Sequence, residues 1–187
     1  MKRNRSMPFR ICWAAALLLF GCSSVTVSQD YEIGADFSKY RTFAWVSAVQ
    51  PRTGDIRVDN PLLDARIRSA VEQTLISKGY RKKTDGPPDM LVAYHLTIRS
   101  KIEGDTFRSG FGYGYYPYWG GAGFETTIRQ YDEGLLVIDI GDAADSRLIW
   151  RGTGTRRLTE KASPEKTTRI VNQTVTEILN QFPPNSK

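Results

Sequence analysis

The chain has 187 residues, two cysteines, one histidine and a formal net charge of +6. That length suits one domain with a core large enough to need no staples. Four of the cations, Lys2, Arg3, Arg5 and Arg10, lie at the extreme N-terminus, and no Lys/Arg tract long enough to track a phosphate backbone follows them, so nucleic acid is excluded as an expected partner.

The basic N-terminus is followed by an apolar run, Ile11–Phe20, and then by Gly21, Cys22, Ser23 and Ser24. This is the plan of a secretory signal. The run is too short to span a bilayer, which needs about 20 apolar residues. Leu19-Phe20-Gly21-Cys22 resembles the bacterial lipobox, with Phe20 bulkier than the usual small residue. The resemblance implies a diacylglyceryl group on the Cys22 thiol, cleavage before it and acylation (palmitate or a similar chain) of the new amine. Residues 1–21 are then a removed lipoprotein signal peptide, and 22–187 form a single periplasm-facing domain. Two or more acyl chains, at about 0.8 kcal/mol per buried methylene, anchor stably where one does not. Ser23, rather than Asp, beside Cys22 favours the outer membrane. Cys12 leaves with the signal, so no disulfide, thiol nucleophile or cysteine metal site is expected in the mature domain.

Val25–Tyr31 reads as a strand from its Val/Thr alternation, and Thr42–Val46 as a second. Residues 47–59, with Pro51 and Gly54, read as a loop. Asn60-Pro61 is a cap followed by proline at the first helical position; Leu63, Ile67, Ala70, Val71, Thr74 and Leu75 recur at helical spacing, and Gly79 supplies the stop. Asp64, Arg66, Arg68, Glu72 and Lys78 fall mainly on the other side and are expected to form a solvated face. After the Gly86-Pro87-Pro88 break, Asp89–Arg99 is rich in β-formers, and Thr126–Tyr131 is a weaker strand candidate. Gly134–Ile140 and Arg147–Thr153 flank a polar turn and predict an antiparallel hairpin. Ser163-Pro164-Glu165 opens a second helix with Ile170, Val171, Val175, Ile178, Leu179 and Phe182 as its apolar stripe, ended by Pro183-Pro184. The whole predicts an α+β fold: a mainly antiparallel sheet with two amphipathic helices packed on one face.

Asp30-Tyr31, Asp36-Phe37 with Tyr40–Trp45, Lys78-Gly79-Tyr80, Asp89–His95, Gly134–Ile140 with Leu148–Gly152, and Phe182-Pro183-Pro184 resemble successive blocks of the bacterial lipoproteins grouped as domain of unknown function 4136. The resemblance covers roughly Val25 to Pro184. It implies a single-domain α+β lipoprotein and transfers no catalytic residue.

Chemistry-bearing residues are sparse. His95 stands alone in a strand, with no second His or Cys for a soft metal site or a nucleophilic triad, and no cofactor or metal is expected. Two carboxylate pairs, Glu133 with Asp139 and Asp132 with Glu103, are the candidates for a carboxylate-dependent enzyme acting on envelope polymers, such as a glycan hydrolase. Asp139 lies on the parity of Leu135 and Val137, where pairing across the hairpin with Arg151 is the simpler expectation. Gly152-Thr153-Gly154 lacks the continuation of a phosphate loop. The segment 109–124 holds six glycines and seven aromatics. It reads as a loop that either folds its rings back onto the domain or offers Tyr113, Tyr115, Tyr116, Tyr118 and Trp119 to an envelope protein, a glycan or a lipid headgroup. The favoured reading is a membrane-anchored, non-catalytic binding or assembly module of the envelope.

Overall fold

Asn60 and Ser163 cap their helices as the sequence predicts. The computed structural model describes residues 25–48, 50, 52–108, 124–158 and 162–184, with backbone alone at 104–108 and 124–129. The Asn60 side chain accepts from the Leu62 N–H at the head of α1 (Pro61–Ser77), and the Ser163 hydroxyl accepts from the Lys166 N–H at the head of α2 (Pro164–Leu179). Each satisfies a donor the first helical turn leaves free. Gly79, at φ +93°, ends α1 in the left-handed region.

The sheet comprises β1 (Val25–Tyr31), β2 (Thr42–Trp45), β3 (Arg81–Lys82), β4 (Met90–Arg108), β5 (Phe124–Asp142) and β6 (Leu148–Arg157), in the order β1-β6-β5-β4-β2-β3. Pairing is antiparallel except that β2 runs parallel to both β3 and β4. Both helices pack together and against one face, so the α+β class holds. Ile67, Val71 and Leu75 of α1 and Val175, Ile178 and Leu179 of α2 are all buried, facing Val92, Ile138, Ile140 and Trp150 of the sheet.

Two differences from the sequence reading have simple causes. Thr126–Tyr131 and Gly134–Ile140 are one strand, because β4 continues to pair across Asp132, Glu133 and Gly134 without a shift. That strand begins at Phe124, which therefore belongs to β5 rather than to the 109–124 loop. The second difference is α1's charged side, which is only partly solvated. Asp64 accepts from the Tyr94 hydroxyl (2.7 Å) and Arg68 Nε (2.8 Å), Arg68 lies over the Trp45 ring, and Glu72 accepts from Trp45 Nε1 (2.7 Å). Burial, reinforced by the bond to Asp64, pushes the Tyr94 hydroxyl well above the ordinary tyrosine range.

At the centre, Phe182 is fully buried and meets Trp150, Phe37 and Tyr80 at centroid distances of 5.2, 5.8 and 5.5 Å. Gly152 and Gly154 let α2 settle on β6. A Cβ on Gly152 would stand 2.2 Å from the Trp150 ring and 2.5 Å from Ile178; one on Gly154 would stand 2.7 Å from Ile178. At the far end of β5, buried Asp142 accepts from Lys39 Nζ (2.9 Å), the Tyr40 hydroxyl (2.8 Å) and the Ala144 N–H (2.9 Å). Those donors, Lys39 foremost, hold its pKa down to about 2.

Three outcomes follow for stability. Gly152→Ala forces Trp150 or Ile178 out of place and should cost about 1–3 kcal/mol in urea unfolding. Leu75→Ala or Leu179→Ala, each at a fully buried site, should cost about 2–5 kcal/mol; a loss near zero at either would contradict the packing described. Because the folded pKa of Asp142 is depressed, its contribution is fully present above the ordinary carboxylate pKa of about 4 and disappears as pH falls toward 2. The urea midpoint should therefore fall less steeply over that window in Asp142→Asn than in the parent chain.

Candidate functional site

The β4–β5 hairpin outgrows the rest of the sheet. The last β5–β6 pair is Glu133 with Arg157, and β2 leaves β4 after Val92, yet β4 and β5 stay paired from Ser100–Asp132 out to Arg108–Phe124. Those nine pairs make a two-stranded ribbon about 30 Å long beyond the layered body. Lys101 binds Glu133 at 2.6 Å, and the Arg157 guanidinium lies 3.8 Å from the Tyr131 ring centroid, both at the ribbon's root. Val25, the first residue of β1, pairs with Arg156, one position from the last β5–β6 pair. The start of β1 and the root of the ribbon thus share one end of the sheet.

Near that end a pocket of about 200 Å³ opens between the helices and the sheet. Leu63 and Ile67 of α1, Ile170 and Val171 of α2, and Leu96, Ile98 and Leu136 of the sheet supply its apolar wall, with Gly134 and Gly154 among the sheet residues lining it. Arg156 is its only charged lining residue among those described and is held by Gln173 Oε1 at 2.9 Å. An engineered apolar cavity of about 150 Å³ takes up benzene, so this pocket is large enough for an apolar side chain or a short alkyl group. The sequence alone does not mark it. Its residues come from five elements that meet only in the fold.

The candidate carboxylates do not converge. Glu133 and Asp139 are six residues apart on one strand, about 20 Å. Asp132 shares the helix-side parity of Leu136, whereas Glu103 shares the opposite parity with Arg99 and Lys101, so the second pair is split across the sheet. Asp139 binds Arg151 through both Nε and Nη2 at 2.7 Å, the cross-hairpin pair expected of it. His95 lies on the same open face, its Nε2 3.7 Å from Asp139, and is itself exposed. Gly152 and Gly154 serve packing. Among the described residues no cluster of His, Cys, Asp or Glu could hold a metal ion, and no helix is long and apolar enough to cross a membrane. Cys22 and the aromatic positions Tyr113, Tyr115, Tyr116, Tyr118 and Trp119 lie outside the described residues.

No curated protein matches the chain. Among solved structures it is similar to a PDZ domain protein from Parabacteroides distasonis, at 16% identity and a TM-score of 0.52, over 88% of this chain and 37% of that one. The chain therefore spans little more than a third of that protein's length. It is also similar to PelC, crystallised as a dodecamer, from Paraburkholderia phytofirmans, at 11% identity and a TM-score of 0.46, over 83% of this chain and 94% of that one. At such identities the likeness concerns the fold alone. The family described as Domain of unknown function (DUF4136) matches residues 27–184, nearly all of the sheet and both helices, and the chain belongs to that family.

Proposed function

We propose that the protein is an envelope lipoprotein, anchored through acylated Cys22 in the outer membrane and facing the periplasm, which works as a non-catalytic binding or assembly module. The observation that carries this reading is the shared end of the sheet. Ser23 and Ser24 alone separate the proposed anchor from β1, and each residue spans at most about 3.5 Å. The anchor thus holds Val25 within about 10 Å of the lipid, with the ribbon root two to three strands further across the sheet at about 5 Å per strand. The ribbon leads from there into the glycine- and aromatic-rich segment. Tyrosine and tryptophan offer large, rigid, amphipathic contact area, and Tyr113, Tyr115, Tyr116, Tyr118 and Trp119 are the proposed contacts for an envelope protein or glycan at the membrane. The carboxylates that would serve an envelope-polymer hydrolase are separated or bound to cations, which is why the binding reading is preferred.

Metabolic labelling with a fatty-acid analogue tests the anchor. Label should enter the parent chain and not Cys22→Ser, which should leave the membrane fraction; equal labelling of both refutes it. The contact role is tested by replacing Tyr115, Tyr116, Tyr118 and Trp119 together with serine. Thermal stability should stay nearly unchanged while in-membrane crosslinks to the partner disappear. A sharp fall in Tm, or crosslinks that survive, refutes that role.

A further inference from the structure

Among the described residues, no strand pairs with the outer edge of β4 beyond Val92. β2 covers it only as far as Val92, where the Val46 N–H donates to the Val92 carbonyl (3.0 Å), and the Gln50 amide then donates to the Tyr94 carbonyl (2.9 Å). Even-numbered residues of β4 therefore turn their N–H and C=O groups away from β5, and the register stays unbroken out to Arg108. Among the described residues no strand meets Leu96, Ile98, Ser100 or Ile102 on that side. An unpaired edge of this length is a template for another strand, and an isolated two-stranded ribbon is marginally stable by itself.

The charge pattern along the edge selects the partner. Arg99 and Lys101 precede Ile102, and Glu103 follows it. Ile102 is 73% exposed; Lys101 and Glu103, on the opposite side of the ribbon, are each about half exposed and reach Glu133 (2.6 Å) and Arg157 (3.6 Å) in their own chain, so pairing between copies adds to these contacts. Two copies of this edge can pair antiparallel about a two-fold axis through any one residue with the free backbone groups still facing each other. An axis at Ser100 sets Arg99 against Lys101 twice; one at Lys101 sets lysine against lysine at its centre, although Arg99 then meets Glu103; one at Glu103 sets glutamate against glutamate at its centre, although Lys101 then meets Asp105. An axis at Ile102 instead sets Lys101 against Glu103 twice and brings the two exposed Ile102 side chains together. Like charges directly opposite destabilise a strand pair and unlike charges stabilise it.

We infer that the protein forms a symmetric dimer through antiparallel β4–β4 pairing centred on Ile102, converting two ribbons into one four-stranded arm. Such an interface is self-complementary and closes at two copies. In the full chain purified in detergent, Ile102→Cys should give a disulfide-linked dimer under mild oxidation. Directly opposed residues of a hydrogen-bonded pair have Cα atoms about 5.5 Å apart, within disulfide reach. Ser100→Cys should not crosslink, since two such cysteines would lie about 13 Å apart. Lys101→Glu and Glu103→Lys should each weaken the dimer about tenfold or more, by placing like charges opposite one another twice. Mixing the two variants should restore it as a heterodimer in which both Lys–Glu contacts are unlike again. Sedimentation equilibrium reads the association, and circular dichroism checks that each variant is folded. A wild-type chain that stays monomeric at high micromolar concentration, equal crosslinking at 100 and 102, or a mixture that fails to associate overturns the proposal.

Discussion

The missing side chains at Gly152 and Gly154 are the constraint on which the remainder of the body depends. Ile178 of α2 occupies the space that a Cβ at either position would need, and the Trp150 ring lies across Gly152. The helix consequently sits directly on β6. Just beyond α2, Phe182 enters the cluster of Trp150, Phe37 and Tyr80. Helix α1 packs beside α2 and inherits its position. Interiors packed at crystal-like density leave little slack for such a chain of contacts to shift.

Around this core, many of the acidic side chains hold elements together. Asp89 receives the Arg41 and Thr42 N–H groups and the Thr42 hydroxyl, which lowers its pKa and fixes the entry of β2 beside β4. Asp142 ties the segment before β2 to the end of β5, and Asp64 ties α1 to Tyr94. Asp139 locks β5 to β6 through a bidentate arginine, the geometry in which a carboxylate–guanidinium pair is strongest. A carboxylate occupied in this way is poorly placed for acid–base work, which needs a proton-transfer group free to meet its substrate. The features that point outward are of another kind: an apolar pocket at one end of the layers, a projecting ribbon and an open strand edge.

The ribbon and the body differ in what stabilises them. The body has helices over one face of the sheet, whereas, among the described residues, the outer nine pairs of the hairpin have strand neighbours only in each other. Backbone bonds and cross-strand ion pairs hold such a ribbon, and exposed pairs of that kind contribute little each. Its stability rises most by adding strands or a contacting surface, so the same architecture that leaves it marginal alone suits it to association.

The local elements of this protein were legible because they depend on neighbours in sequence. Proline after Asn60 and after Ser163 marks both helix starts, the apolar spacing marks Ile67-Val71-Leu75 and Val175-Ile178-Leu179 as buried stripes, alternation marks β1, and a polar turn between two β-rich runs marks the β5–β6 hairpin. The Asp139–Arg151 pair could be expected as a cross-hairpin contact, but the register that sets the two opposite each other depends on an irregularity between Ile140 and Gly141. Only the tertiary structure decided the rest. The parallel seating of β2 beside β4, the pocket between five elements, the packing task of Gly152 and Gly154, and the capture of Asp64, Arg68 and Glu72 by sheet aromatics all depend on residues distant in the chain. So does the length of the ribbon, because a strand's run is limited by how far its partner keeps register and not by its own propensity. Periodicity reports which side of an element is apolar; what that side meets is settled by the meeting of elements far apart in sequence.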